Sequence, residues 1–351
     1  MESRIGPIQE HAPTVTVLMP VYNAAPYLDE AIASITGQTF ADFEFLIVND
    51  DSTDGSDTIV RKHAGRDSRI RLLNNRRTKG VAGALNTGLE EARGRYIARM
   101  DADDVSFPRR LEKQVRFMEE HPEVGISGTW KEVIGEGQGR LWFPYLSDPE
   151  QIKVSLLFYC PVGSPVAIMR RALLEKHNLY YDENVGFIED WDMYERAAMC
   201  FPLSNLTEVL LYYRIHGANV STVKSERELR SEWAIKARQI ERLGLFPTDE
   251  EKEVHNRVFF GPYEGPGLVH RAEAWLSKLA RANRRKHVYR TRSFEREMRR
   301  LYFNACIRVR GLRPATVPGL FLSRLCLSFP PSPGELIGLG SRYFRSLCKA
   351  G

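Results

Sequence analysis

From Val15 onward, short runs of β-branched and apolar residues alternate with longer segments in which apolar residues recur every three or four positions. This alternation is typical of strands joined by crossover helices, and it predicts a doubly wound α/β sheet. We expect strands at residues 15–19, 43–48, 70–73 and 96–100, and helices at 27–36, 54–64, 80–92 and 108–121. In such sheets, ligands bind at the carboxyl ends of the strands.

The alternation becomes less regular further along the chain. A strand is expected at 124–127, a hairpin tip at the Gly-rich 135–139, a helical segment at 149–158 and a strand at 166–169. A helix opens near Glu189, and a strand follows at 209–213. The sheet is therefore expected to be mixed.

Beyond about residue 221, the pattern is mainly α-helical, with helices expected at 226–243, 268–281 and 290–310. We therefore predict an N-terminal extension at 1–13, an α/β domain at 14–220 and a helical, basic region at 221–351. The last helix carries one apolar and one basic side. Its apolar side consists of Phe294, Met298, Leu301, Tyr302 and Ala305, and its basic side mostly of Arg292, Arg296, Arg299 and Arg300.

Charge is distributed unevenly along the chain. Residues 1–220 carry 24 Lys and Arg against 32 Asp and Glu, whereas residues 281–351 carry 16 against three. Nucleic acid and anionic lipid are the usual partners of such a basic segment. Because the acidic front part would repel nucleic-acid phosphates and no recognised module appears, we expect no nucleic-acid partner and favour an anionic membrane surface. The alternative is a packed helical extension with a solvated basic face.

The five cysteines are scattered and form no C-x-x-C pair, which favours reduced thiols in a cytosol and argues against a zinc ribbon. Residues 1–13 lack an apolar signal core, and no apolar run approaches the roughly 18 residues of a spanning helix. We therefore expect a cytoplasmic chain that is neither secreted nor membrane-spanning.

Polar residues follow the first two predicted strands. The first strand ends in Pro20-Val21-Tyr22-Asn23 rather than in the G-x-G-x-x-G of dinucleotide folds, which argues against a nicotinamide or flavin enzyme. Asp50, after the second strand, could accept a hydrogen bond from a pyrimidine N–H while Tyr22 packs on the ring. Alternatively, the Asp and Ser residues that follow the second strand cap the next helix, because Asp and Ser are favoured at the N-cap position.

The fourth strand runs directly into Asp101-Ala102-Asp103-Asp104. Three carboxylates in four residues repel one another unless a cation compensates them. Mg²⁺ and Mn²⁺ prefer oxygen ligands and commonly share them with substrate phosphates. The segment is therefore either a metal site or a solvated acidic turn that caps the next helix.

Eight short segments occur in a characteristic order within residues 14–220. They are Pro20-Val21-Tyr22-Asn23, Ser34-Ile35-Thr36-Gly37-Gln38-Thr39-Phe40, Asn49-Asp50-Asp51-Ser52-Thr53-Asp54, Gly83-Ala84-Leu85-Asn86-Thr87-Gly88, Asp101-Ala102-Asp103-Asp104, Pro108-Arg109-Arg110-Leu111-Glu112, Glu189-Asp190-Trp191-Asp192 and Tyr213-Arg214-Ile215-His216. In this order the chain resembles a family 2 glycosyltransferase of the GT-A fold, of the bacterial cell-surface polysaccharide type. Two departures are Asn49 and Asp51, which stand where the family more often has Asp and Gly.

The resemblance implies a role for each matching residue. The nucleotide contacts it implies are Pro20, Tyr22, Asn23, Asp50 and Asp103, and the ligands of a Mn²⁺ or Mg²⁺ ion on the diphosphate are Asp101, Asp103, Asp104 and His216. Asp190 matches the catalytic base, with Glu189, Trp191 and Arg214 near the acceptor or the diphosphate. We expect Asp190 in the first turn of its helix, where the helix dipole favours the ionised carboxylate. Trp191 is equally open to being a core aromatic.

The function that follows is inverting, metal-dependent transfer from a nucleotide-sugar, by family habit a UDP-sugar, to a hydroxyl of a glycan or lipid-linked glycan. The pathway would be O-antigen, capsule or exopolysaccharide synthesis. We expect the enzyme to bind peripherally to the inner face of the cell membrane. Two alternatives are a polyprenyl-phosphate sugar synthase and a non-catalytic nucleotide-sugar binding module.

Overall fold

The computed structural model describes residues 12–135, 142–143, 145–217, 225–260, 266–308 and 323–328. Within these ranges the chain divides into two compact units. The first takes the described residues up to Pro149 together with Pro161–Ser231, and the second takes Glu150–Cys160 and the described residues from Glu232 onward. The boundary that we predict at residues 220–221 lies outside the described residues.

The first unit is built on one mixed sheet. Its strands are β1 (Val15–Val21), β2 (Phe43–Asn49), β3 (Ile70–Asn74), β4 (Tyr96–Arg99), β5 (Val105–Ser106), β6 (Ile126–Gly135), β7 (Trp142–Phe143), β8 (Ile168–Arg170) and β9 (Leu203–Ile215). The order across the sheet is β3-β2-β1-β4-β8-β6-β9-β5, and β7 pairs with β6. The first four strands are parallel, whereas β8 runs antiparallel to both β4 and β6.

Helices connect these strands. They are α1 (Ala25–Thr36), α2 (Ser56–Ala64), α3 (Val81–Glu91), α4 (Arg110–Glu120), α5 (Pro149–Ser155), a 3₁₀ turn at Ser164–Val166, α6 (Arg171–Lys176) and α7 (Glu189–Ala197). The α5 segment, except for its first residue, belongs to the second unit. The predicted α/β alternation is therefore present from β1 to α4, with the short β5 inserted before α4.

The parallel strands are apolar along nearly their whole length because helices cover both faces. Every residue of β2 is buried, and in β1 only Pro20 is partly exposed. Alternate positions serve opposite faces, so Val15, Val17 and Met19 join one core cluster while Leu18 faces the other side. On that other side, a Cβ at Gly88 of α3 would come within 2.1 Å of Leu18 Cδ1, which shows how closely this helix approaches the sheet.

The predicted hairpin tip at 135–139 is described only at its first residue. Gly135 ends β6 with φ of +131°, and β6 pairs with β7 through Lys131 and Glu132. Residues 136–141 lie outside the described residues.

The second unit is helical. Its helices are the larger part of α8 (Glu226–Arg242), with α9 (Asp249–Phe260), α10 (Pro266–Lys286), α11 (Thr291–Arg308) and α12 (Arg324–Ser328). Of these, α9 and α12 are not expected from the sequence. A separate apolar core holds them together, and Trp275 is its largest buried side chain.

The apolar side of α11 lies inside this core. Phe294, Met298, Leu301, Tyr302 and Ala305 are each at most 3 % exposed and pack in the same cluster as residues of α9 and α10. This packing agrees with the alternative of a packed helical extension, because the apolar side of the helix stabilises the helical unit. Among the described residues, no helix is long and apolar enough to span a bilayer.

Candidate active site

The carboxyl ends of β1 and β2 lie side by side, with Val21 paired to Asn49. Asn23 and Asp51, just beyond these strands, both have positive φ, a conformation that Asn and Asp adopt more easily than most residues. Asn23 accepts a hydrogen bond from the Thr53 N–H at 2.8 Å, so its side chain joins the two loops. This contact gives Asn23 a structural task at the predicted nucleotide site.

Asp50 ties the end of β2 to the loop before α3. Its Oδ1 accepts a hydrogen bond from Asn75 Nδ2 at 2.6 Å, and its Oδ2 accepts one from the Gly80 N–H at 2.8 Å. The carboxylate has further lone pairs, so it can still accept a base N–H. Asn75 is a partner that the sequence analysis did not identify.

Tyr22 lies one residue beyond the end of β1 and is exposed. Its side chain is 55 % exposed, and the Lys79 ammonium lies 4.7 Å from the ring centroid. An exposed aromatic face next to a cation is suited to holding a flat heterocycle. The partly exposed Pro20 lies within β1, two residues before Tyr22.

The carboxylates of the turn after β4 point in different directions. The side chains of Asp101 and Asp103 are 27 % and 26 % exposed, whereas Asp104 is fully buried. Asp104 Oδ1 accepts the Arg214 N–H at 2.8 Å, and its Oδ2 has no hydrogen-bond partner among the described residues. Burial raises the pKa of Asp104 well above its ordinary value, and Asp101 and Asp103 add to the rise. Asp104 therefore holds the turn against β9.

The end of β9 and His216 close over this turn. His216 Nε2 lies 3.0 Å from Asp103 Oδ2, and Arg214 Nε donates to the Asp103 carbonyl at 2.8 Å. The Tyr27 ring of α1 stacks on His216 with centroids 4.5 Å apart. Burial, with the neighbouring Asp101, raises the pKa of Asp103, while His216 opposes the rise. The structure thus brings two of the four predicted metal ligands, Asp103 and His216, into direct contact.

The donor set fits a divalent ion that substrate oxygens complete. Among the described residues, no three His, Cys, Asp or Glu side chains form a ready-made metal cage. Mg²⁺ sites often use only one or two carboxylates, with substrate phosphates and water supplying the rest. Asp101 and Asp103 are partly exposed carboxylates that could meet this requirement.

Asp190 occupies the first turn of α7 and is partly exposed. Burial raises the pKa of Asp190, although Arg99 opposes the rise. This differs from our expectation that the helix terminus dominates. The consequence is chemically useful, because a base with a pKa nearer the working pH removes a proton more effectively.

Two neighbours of Asp190 are buried. The Glu189 carboxylate is 4 % exposed and pairs with Arg99, and burial raises its pKa to about 7. Trp191 is 5 % exposed, so it lies in the core and is not an open stacking surface. Neither side chain is presented to a substrate in this arrangement.

Comparison with known proteins agrees with these motifs. The family model described as "Glycosyl transferase family 2" matches residues 16–177. An uncharacterized glycosyltransferase of Haemophilus influenzae is 32 % identical over 242 residues, covering 66 % of this chain and 74 % of the relative. The chain belongs to glycosyl transferase family 2.

Two further proteins are similar to this glycosyltransferase. An Escherichia coli protein named UDP-Glc:alpha-D-GlcNAc-diphosphoundecaprenol beta-1,3-glucosyltransferase WfgD is 30 % identical over 223 residues, which is 63 % of this chain and 84 % of that one. The crystal structure of S. aureus TarS 1-349 in complex with UDP-GlcNAc matches with a TM-score of 0.58 and 19 % identity, covering 83 % of this chain and 89 % of that chain. The predicted family and GT-A fold are confirmed.

A hydrogen-bond network next to the loop before α3 is not evident from the sequence of this family 2 glycosyltransferase. Asn86 of α3 holds the backbone of Tyr181 through both its Oδ1 and its Nδ2, at 2.9 Å each. Glu183 accepts Arg77 Nε at 2.6 Å and the Thr78 N–H at 3.3 Å. The segment that leads to Asp190 is thereby joined to the loop that carries Gly80. Asn86 lies in the segment 83–88 that resembles the family, but no pattern in the sequence indicates its contact with Tyr181.

Proposed function

We propose that this glycosyltransferase moves a sugar from a nucleoside-diphosphate sugar, by preference a UDP-sugar, to a hydroxyl of a glycan or lipid-linked glycan acceptor, with inversion, in cell-surface polysaccharide synthesis. One observation carries the proposal. The Arg99 guanidinium lies 3.2 Å from Asp101 Oδ1 and 2.8 Å from Glu189 Oε1, so the carboxylate turn and the helix of Asp190 lie within the reach of one side chain. A diphosphate on the turn would then place its sugar next to Asp190. WfgD is named as a UDP-Glc-dependent glucosyltransferase and TarS was crystallised with UDP-GlcNAc, and both favour the uracil base.

Each group then has a chemical task. Asp50 and Tyr22 would bind and orient the base, and Asp101 and Asp103 would hold Mn²⁺ or Mg²⁺ against the diphosphate. When bound, the ion supplies positive charge that stabilises the departing diphosphate. Asp190 would accept the proton of the attacking hydroxyl. A single displacement from the face opposite the diphosphate inverts the anomeric centre.

The test is transfer by the purified chain with a panel of nucleotide-sugars and divalent ions. We expect UDP-sugars to be turned over with Mn²⁺ or Mg²⁺, and Asp190→Asn to lower kcat by about 10²–10⁴-fold while UDP binding is retained. An Asp190→Asn enzyme with full activity would favour a polyprenyl-phosphate sugar synthase, since a phosphate acceptor needs little help from a base. Turnover without any divalent ion would contradict the metal-dependent part of the proposal.

We also propose that the second unit meets an anionic membrane surface, at the inner face of the cell membrane where lipid-linked acceptors are found. The support is charge alone, because the apolar side of α11 is buried. Arg281, Arg285, Lys286, Arg290 and Arg292 are exposed around the end of α10 and the start of α11. Each such cation adds about 1 kcal/mol of attraction when it lies close to an anionic membrane surface.

Flotation with vesicles containing phosphatidylglycerol tests the membrane proposal. We expect binding that weakens with salt and is lost when Arg285, Arg290 and Arg292 become Glu. Binding that survives these charge reversals would refute the electrostatic contact.

A further inference from the structure

Arg99 is a buried cation at the last position of β4. It is 4 % exposed, and its guanidinium contacts two carboxylates from distant parts of the chain. Nε lies 3.2 Å from Asp101 Oδ1 in the turn that follows, and Nη1 donates to Glu189 Oε1 at 2.8 Å, 90 residues away. One side chain therefore bridges the turn at residues 101–104 and α7, the helix that carries Asp190.

The backbone of Arg99 is fixed on several sides. Its N–H donates to the Ala167 carbonyl at 2.8 Å, and its own carbonyl accepts Arg110 Nη2 at 2.5 Å. It also occupies the parallel register between β1 and β4, opposite Leu18. A guanidinium that starts from a fixed backbone can set the position of both of its partners.

We propose that Arg99 is a positioning residue for sugar transfer, one that fixes Asp190 relative to the turn at residues 101–104; this inference rests on the proposed function. The geometry requires arginine. Two carboxylates approach the guanidinium from different directions, and a planar fork serves both at once whereas an ammonium is a single point charge. Arg99 also supplies permanent positive charge to a turn that carries three carboxylates.

Removing Arg99 should separate catalysis from metal binding. In Arg99→Met, the turn around Asp101 is more negative, so it attracts Mn²⁺ at least as well as before. The base helix loses its link to that turn, and a displacement of about 1 Å at the reacting groups costs about 10²-fold in rate. We therefore expect kcat to fall by about 10²-fold, with unchanged KM for the donor and with Mn²⁺ affinity unchanged or tighter. Arg99→Lys should show a smaller loss of kcat, because the ammonium serves one partner.

A double variant separates positioning from folding. Arg99→Met alone leaves Glu189 buried without its cation, which destabilises the fold, whereas replacing both partners of a buried pair is often neutral. Arg99→Met with Glu189→Met should therefore regain thermal stability but not kcat. Arg170→Met is the matched control, because that guanidinium bonds to Tyr96 and to carbonyls such as Met118 O, away from the carboxylate turn. It should lower stability and leave kcat unchanged.

The measurements are kcat and donor KM, Mn²⁺ affinity from the electron paramagnetic resonance signal of free Mn²⁺, and thermal unfolding. The expected pattern is a loss of kcat without weaker Mn²⁺ binding in Arg99→Met and in the double variant. Recovery of kcat together with stability in the double variant, or a parallel loss of Mn²⁺ affinity and kcat, would overturn the positioning role. A wild-type chain that neither binds UDP nor turns over any nucleotide-sugar would instead refute the proposed function.

Discussion

Acid should destabilise the helical unit through His255, which is 1 % exposed between Trp275 and the end of α5. Trp275 Nε1–H can only donate, and it lies 3.1 Å from His255 Nδ1. Nδ1 therefore accepts, and Nε2 carries the proton that it donates to the Leu157 carbonyl at 2.9 Å. Protonation would place an N–H against the Trp275 N–H, so the ring is held neutral.

The magnitude follows from the pKa of this ring. Burial, reinforced by the Lys236 ammonium, lowers the pKa of His255 from its ordinary value of 6.5 to about 3. Between these values the unfolded chain binds one proton more than the folded chain, so the free energy of unfolding falls as the pH falls. Each pH unit is worth about 1.4 kcal/mol, so this residue alone costs about 2 kcal/mol on going from pH 6.5 to 5.

Urea unfolding of the wild type and of His255→Gln at pH 7, 6 and 5 measures this. Tryptophan fluorescence follows the unfolding, and Trp233 and Trp275 of this unit contribute to it. Because the glutamine cannot titrate, its unfolding free energy should fall by about 2 kcal/mol less than that of the wild type between pH 7 and 5. At pH 7 the variant is itself less stable by about 1–3 kcal/mol, because one buried polar partner is lost.

His270→Gln is the matched control, because His270 is an exposed histidine of α10 in the same unit. It should leave the pH dependence of the wild type unchanged. Equal losses of stability between pH 7 and 5 in the wild type and His255→Gln would refute the reasoning.

Three further predictions concern the first unit. Asp50→Asn should weaken UDP binding by about 1–3 kcal/mol in isothermal titration calorimetry, since an acceptor for the Asn75 or Gly80 N–H is lost, whereas the exposed Asp51→Asn should bind UDP as the wild type does. The rate of transfer should fall on acidification at a pH above the ordinary pKa of Asp, because the pKa of Asp190 is raised and the base must be ionised; an acid limb at or below pH 3.8 contradicts this. Gly88→Ala should lower stability in thermal unfolding by about 1–3 kcal/mol, as its Cβ would lie 2.1 Å from Leu18 Cδ1; an unchanged midpoint would show that the contact relaxes.

The parallel half of the sheet could be predicted because strands that are buried on both faces have nearly continuous apolar sequences. The first and last residues of the helices and strands were harder to predict from the sequence. Helix α2 begins at Ser56, two residues later than expected, because Asp54 stays outside it. The Asp54 carboxylate accepts the N–H groups of Ser56 at 3.0 Å and Ala25 at 2.9 Å, and Ala25 is the first residue of α1.

Elements that exist through pairing were missed or shortened. Strand β5 is two residues long and is formed by its antiparallel contact with Leu211 and Tyr212 of β9. Strand β9 itself begins at Leu203, six residues before the expected start. Its first part carries Ser204 and Asn205, whose polar side chains obscure a strand pattern that pairing with β6 enforces.

The site shows the same division. The motifs identified the chemistry, but Asp103 and Asp104 are adjacent and chemically identical in the sequence. The folded chain leaves Asp103 partly exposed and buries Asp104 against the Arg214 N–H. Arg99 could have been noticed as a charged residue at the end of an apolar strand, although nothing local indicates that its partner lies near Glu189.

The sequence by itself determined which chemical groups this glycosyltransferase carries and in what order, because strand runs, caps and motifs are local patterns. The tertiary structure decided which carboxylate faces outward, which cation compensates the others and which helix face is covered. These outcomes depend on contacts between residues far apart in the chain, such as Arg99 and Glu189, and side-chain burial is a property of the packed molecule rather than of any segment.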